Sequence, residues 1–142
     1  MVEINNKTKS KINLGLVKKT VNKFLQSHEL AKSEVSIAFV GDSRMQELNK
    51  KYRKKNKATD VLSFSGENNF LGEIVIDYAQ IKRQARQFGG QAKKFEILVD
   101  EELVFILVHG LLHLLGYDDK TGVGQKEMEK LGNEYLKIKD IK

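Results

Sequence analysis

The sequence predicts an α+β fold in which about four short strands make a mixed sheet layered with about five helices, the most apolar helix lying at the centre. Three observations lead there. Short β-rich runs alternate with longer segments whose apolar residues recur at helical spacing. One segment, from about Phe95 to Leu115, is far more apolar than the rest. No repeat, Ser/Gly linker or break in composition divides the 142 residues, so a single domain spanning residues 1–142 is expected.

Each element has its own signal. Val2 to Ile4 suits a short edge strand. After Ser10, Leu14, Val17, Val21, Phe24 and Leu25 recur on one helix face. VSIAFV (35–40) is a β-rich run. Ser43 with Gln46 forms a capping-box signature, which predicts a helix opening there with Met45, Leu48 and Tyr52 inward. DVLSFS (60–65) and GEIVID (72–77) read as two strands joined by the turn-rich GENNF. Asp77 can cap a helix carrying Ile81, Ala85 and Phe88, which Gly89-Gly90 ends. The apolar segment follows, with Glu96, Asp100, Glu101 and Glu102 in its first half, where carboxylates suit the positive helix end. Gly116 is its natural stop. A last helix turns Met128, Leu131, Tyr135 and Ile138 inward before the polar tail KDIK.

Composition narrows the function. There is no cysteine, so disulfides and thiolate ligands are both excluded and any metal must be held by His, Asp or Glu. The N-terminus lacks an apolar export segment, and the longest apolar stretch is shorter than the ~20 residues of a membrane span; a cytoplasmic protein without a membrane partner is expected. Lys+Arg number 25 against 19 Asp+Glu, giving +6, a balance that favours polyanions in encounter. Six of these cations, Lys50, Lys51, Arg53, Lys54, Lys55 and Lys57, crowd into KKYRKKNK.

The chemistry concentrates in HGLLHLLGYDD, residues 109–119. Residues i and i+4 of a helix share a face with Cβ atoms about 5–6 Å apart, so the imidazoles of His109 and His113 can converge on one ion. Gly116 can take the left-handed conformation that ends a helix and sends Tyr117, Asp118 and Asp119 back toward the histidines. Asp119 can then be a third ligand. Three protein ligands leave zinc a fourth position, the arrangement of a catalytic site. A lone histidine on an apolar face is usually a core residue and GYDD could be turn chemistry; two histidines, a helix-ending glycine and a carboxylate in register make the metal reading the stronger one. The pattern overlays the metzincin frame H-E-x-x-H-x-x-G-x-x-H at its first, fifth, eighth and eleventh positions, predicting metzincin-like site geometry. Peptidases of that kind use the Glu after the first histidine as base, and here that position is Gly110.

The segment resembles the HGxLHLxGYDH signature of the YbeY-type endoribonucleases, zinc-binding factors of bacterial rRNA maturation. The resemblance extends to LNKKYRKKNKATDVLSF (48–64) and LGEIVI (71–76). It implies that His109 and His113 bind metal and that Arg53 is needed for activity. Asp119 departs from the pattern, which has a third histidine there; His/His/carboxylate still makes a catalytic zinc set, with a less acidic bound water and wider access for other divalent ions. The resemblance further implies a single-strand-specific, metal-dependent endoribonuclease acting on ribosomal RNA, in small-subunit 3′-end processing and ribosome quality control. RNA and the small ribosomal subunit would be its partners, and DNA would not.

Within that reading, Arg53 would pair with phosphoryl oxygens and share the catalytic role with His113, while Lys54 and Lys55 track the backbone. From charge alone Arg53 is a solvated member of a basic loop, and only its place in YR-x(5)-TDVLSF reverses that. Alternation sets Ser63 opposite Leu62 and Phe64, on the less apolar face, as a candidate substrate contact. Asp118 could fix a ligand imidazole from behind. Thr59 and Asp60 are expected to be structural, Phe64 to be core, and His28 to be an ordinary surface residue. An assembly factor with a structural metal is the alternative; a zinc peptidase is third, because Gly110 has no side chain to accept a proton.

Overall fold

The computed structural model describes residues 1–53, 59–87, 94–117 and 122–136, the last five of these by backbone alone. Among them run β1 (Val2–Asn6), α1 (Leu14–Ser27), β2 (Glu34–Val40), α2 (Asp42–Arg53), β3 (Val61–Ser65), β4 (Phe70–Asp77), α3 (Tyr78–Arg86), α4 (Phe95–Leu114) and α5 (Gly122–Leu136). The α+β class and the mixed sheet are as the sequence predicts. Strand order is β1-β2-β4-β3. β2 pairs in parallel with both β1 and β4, whereas β3 lies antiparallel to β4. β3 is therefore an edge strand.

The two faces of the sheet are covered unequally. Val35, Ile37 and Phe39 of β2 and Ile74 and Ile76 of β4 join the larger core with α1, α3, α4 and Met128 of α5. The opposite face buries Ala38, Val40, Leu62 and Val75 under Met45 of α2. α4 is strongly apolar over most of its length, and it packs on α1, α3 and α5 as well as on β3 and β4. Among the described residues no helix is long and apolar enough to cross a membrane.

Local chemistry explains the boundaries. The Asn13 side chain accepts from the Leu16 amide at 3.2 Å and opens α1. Asp77 caps α3 as expected, its Oδ1 accepting from the Gln80 amide at 3.3 Å. α2 opens differently from the Ser43 capping box. Asp42 is already its first residue, placing a carboxylate at the positive end, and the Met45 amide donates to the Gly41 carbonyl at 3.0 Å. Tyr52 also departs from expectation. It is 55% exposed, its ring meeting Phe64 edge-on at 5.2 Å between centroids and lying under the Lys51 ammonium, 5.2 Å from the ring centre, instead of entering the core. Phe88, Gly89, Gly90 and Ile138 lie outside the described residues, as does the tail.

Candidate active site

The most apolar helix delivers the two histidines. Three turns of buried leucine, valine and isoleucine anchor α4, so its C-terminal face is fixed against β3 and β4. His109 and His113 stand on that face half-buried, with ring centroids 4.9 Å apart and planes inclined at 71°. Imidazoles so placed fit the expected metal chemistry: both are nitrogen ligands that line the cleft, carried by a helix buried along much of its length.

The helix ends as Gly116 requires. Its φ is +96°, its amide donates to the His113 carbonyl at 3.0 Å, and the Tyr117 amide donates to the Leu112 carbonyl at 3.1 Å. This pair of bonds is the Schellman motif, which reverses the chain immediately beyond His113. Asp118 and Asp119 lie outside the described residues, as do Lys54 and Lys55. Among the described residues no three His, Cys, Asp or Glu side chains cluster closely enough to hold a metal ion.

A cleft of about 640 Å3 joins the histidines to Arg53. Tyr52 and Arg53 form one side, residues 59–65 the floor, and His109, His113, Leu114, Gly116 and Tyr117 the other side. Arg53 is the last residue of α2 and is exposed. Thr59 and Asp60 line the cleft too, and Asp60 has the structural role expected of it, its carbonyl accepting from the Asp77 amide at 3.0 Å.

Ser63 lies on the face opposite Leu62 and Phe64, as its alternation predicts, but that face is not the less apolar one. Its side chain does alternate with Leu62 and Phe64, but those two face α2, and Ser63 faces the strongly apolar α4. There its Oγ donates to the Gly110 carbonyl at 3.2 Å. The close approach depends on Gly110, where an added Cβ would stand 3.0 Å from Ile74 Cγ2 and 3.3 Å from Ser63 Oγ. Gly110 thus removes a peptidase base and lets the helix press against the strands. His28 is an exposed residue that closes α1, its Nδ1 2.9 Å from the Phe24 carbonyl and its ring stacked on Phe24.

A family model described as endoribonuclease YbeY matches residues 3–139. The chain belongs to the YbeY endoribonuclease family. It is 46% identical over 110 residues to a YbeY endoribonuclease of Thermodesulfovibrio yellowstonii, a match covering 72% of this chain and 64% of that one. It is 37% identical over 134 residues to that of Aquifex aeolicus, covering 90% and 85%. A YbeY endoribonuclease of Bacillus cereus is 34% identical over 130 residues, covering 81% and 79%. The solution structure of a Thermotoga maritima protein superposes with a TM-score of 0.64 at 26% identity, over 96% of this chain and 87% of that one.

One cluster in this YbeY-family chain escaped the sequence reading, which assigned Asp77 only a capping role. Asp77 is fully buried at the end of β4 beside Asp42, and Arg83 of α3 grips Asp42 with two bonds of 3.0 and 2.7 Å. Burial and the shared hydrogen bond with Asp42 push the Asp77 carboxyl up to about 7. The Arg83 bond, then the bond with Asp77, lower Asp42 to about 2. The pair therefore holds one proton, on Asp77, at acidic to neutral pH.

Proposed function

We propose that the protein is a single-strand-specific, metal-dependent endoribonuclease of ribosomal RNA maturation, working in the cytoplasm on the 3′ end of the small-subunit RNA and in ribosome quality control. Family membership supports the reaction class. The observation that carries the site assignment is the convergence of Arg53, His109 and His113 on one cleft, from segments more than fifty residues apart. In this reading the whole chain works as one domain, with its central apolar helix presenting metal ligands to the cleft.

His109, His113 and Asp119 would hold one zinc, with Asp118 steadying an imidazole from behind. When bound, zinc supplies Lewis-acid stabilisation and a more acidic water. Asp119 reduces the positive charge of the site relative to three imidazoles and suits harder divalent ions as well. Arg53 pairs its guanidinium with the non-bridging phosphoryl oxygens, where negative charge builds as the phosphodiester is attacked. Lys54 and Lys55 follow the neighbouring phosphates, a salt-sensitive contact that carries no sequence information. Ser63, bonded to the Gly110 carbonyl, fixes α4 against the cleft floor and presents its oxygen to the substrate.

The test compares wild type with His113→Ala on purified ribosomal RNA and on casein, with metal measured on both proteins. The expected result is RNA cleavage lost with the metal and no cleavage of casein by either protein. RNA binding without cleavage by metal-loaded wild type would identify an assembly factor instead, and casein cleavage a peptidase.

A further inference from the structure

The cleft floor is the free edge of a β-strand, and that edge has a regular chemical pattern. Two bonds fix the phase of the β3–β4 ladder: the Asp77 amide to the Asp60 carbonyl at 3.0 Å, and the Gly66 amide to the Leu71 carbonyl at 3.0 Å. With Leu62 opposite Val75 and Phe64 opposite Glu73, residues 60, 62, 64 and 66 spend their backbone groups on β4. The amides and carbonyls of Val61, Ser63 and Ser65 then point away from β4, into the cleft. Among the described residues no strand pairs with this edge. Along it, a donor beside an acceptor recurs at every second residue, about 6.7 Å apart.

We propose that this edge binds the Watson–Crick edges of unpaired bases in the substrate RNA, and so sets the requirement for a single strand; the inference rests on the ribonuclease reading above. All four bases carry a hydrogen-bond donor next to an acceptor on that edge, so the outward N–H and C=O of one strand residue can serve any of them. A base in a duplex has already used these groups. Sequence tolerance and rejection of paired RNA thus follow from one feature.

The walls of the cleft agree with this placement. A base extending the sheet in its own plane has Phe64 and the exposed ring of Tyr52 on the α2 side, and His109 and His113 on the α4 side. Aromatic rings there give a stacking surface, and the phosphodiester of the same nucleotide lies within the cleft that holds Arg53. An extended peptide would also match a free strand edge. RNA is the better fit because the same cleft carries Arg53 and, at Gly110, lacks the peptidase base.

The experiment measures binding and cleavage of oligouridine and of oligo(3-methyluridine), whose methyl group blocks the Watson–Crick edge but leaves phosphates and ring faces intact. Wild type is expected to bind and cut the methylated strand about tenfold less well, the loss of roughly one hydrogen-bonded contact. Ser65→Pro removes one outward amide that makes no ladder bond; it should lower oligouridine toward the methylated value and leave the methylated strand unchanged. Equal binding and cleavage of the two RNAs by wild type overturns the proposal, with the ribonuclease reading intact. Cleavage of neither contradicts that reading and the inference with it. Should Ser65→Pro fail to fold, the two RNAs on wild type decide the matter alone.

Discussion

Arg53 and Lys51 carry the same charge two residues apart, yet only the first is assigned a task that charge cannot perform alone. A guanidinium offers parallel donors to two phosphoryl oxygens, and an ammonium does not. Arg53→Lys should therefore lower the cleavage rate by about 10²-fold while RNA affinity changes little; a rate equal to wild type in single-turnover cleavage would remove the clamp. Asp77 supports a prediction about stability. Its carboxyl keeps a proton to about pH 7 in the fold, whereas the unfolded chain releases it near 3.8. The unfolded state thus binds fewer protons across that interval, and stability falls as pH rises from about 4 to 7. Asp42 acts in the opposite sense at lower pH, contributing stability above 3.8 that is lost as pH falls toward 2. Asp77→Asn keeps an oxygen to cap Gln80 and removes the titration. Its melting temperature should exceed that of wild type at pH 8 and vary less between pH 4 and 7; an unchanged pH profile would refute the shared proton.

At the scale of elements, the helix end was legible in the sequence because its chemistry is local. His109, His113 and Gly116 fall within eight consecutive residues, and the spacing alone predicts the shared face and the glycine stop that the Schellman bonds make. Gly116→Ala tests that end. Nothing lies within 4 Å of the added methyl, so the cost is the left-handed φ itself, about 1–2 kcal/mol. Thermal or urea unfolding should show that loss, and metal affinity should fall with it because the turn directly after His113 is disturbed. Other features depend on contacts between distant elements and left no such mark. The spacing of Met45, Leu48 and Tyr52 defines one helix face but cannot say how far the core beneath it extends, and Tyr52 stays 55% exposed. Ser63 alternates as expected, yet which face of β3 meets α4 depends on strand order. The Asp42–Asp77 contact joins the first residue of α2 to the last residue of β4, 35 positions apart in the sequence.

For the molecule as a whole, the sequence order of strands and helices gave the α+β class, and the sheet order β1-β2-β4-β3 adds what that class leaves open. It puts β3 at an edge, where α2 on one face and α4 on the other can form opposite walls of a single cleft. The arrangement explains how Arg53 and the histidine pair meet although α2 and α4 belong to different layers. A net charge of +6 and the basic end of α2 predict that RNA affinity falls steeply with salt, with several counterions released in a log–log titration; a flat dependence would show that phosphate contacts contribute little. In the function proposed above, His109, His113 and Asp119 hold one catalytic metal. Elemental analysis of purified protein carrying no histidine tag tests it most directly. About one zinc per chain is expected in wild type and almost none in His113→Ala; wild type without bound metal, or a variant that retains it in full, would contradict this assignment.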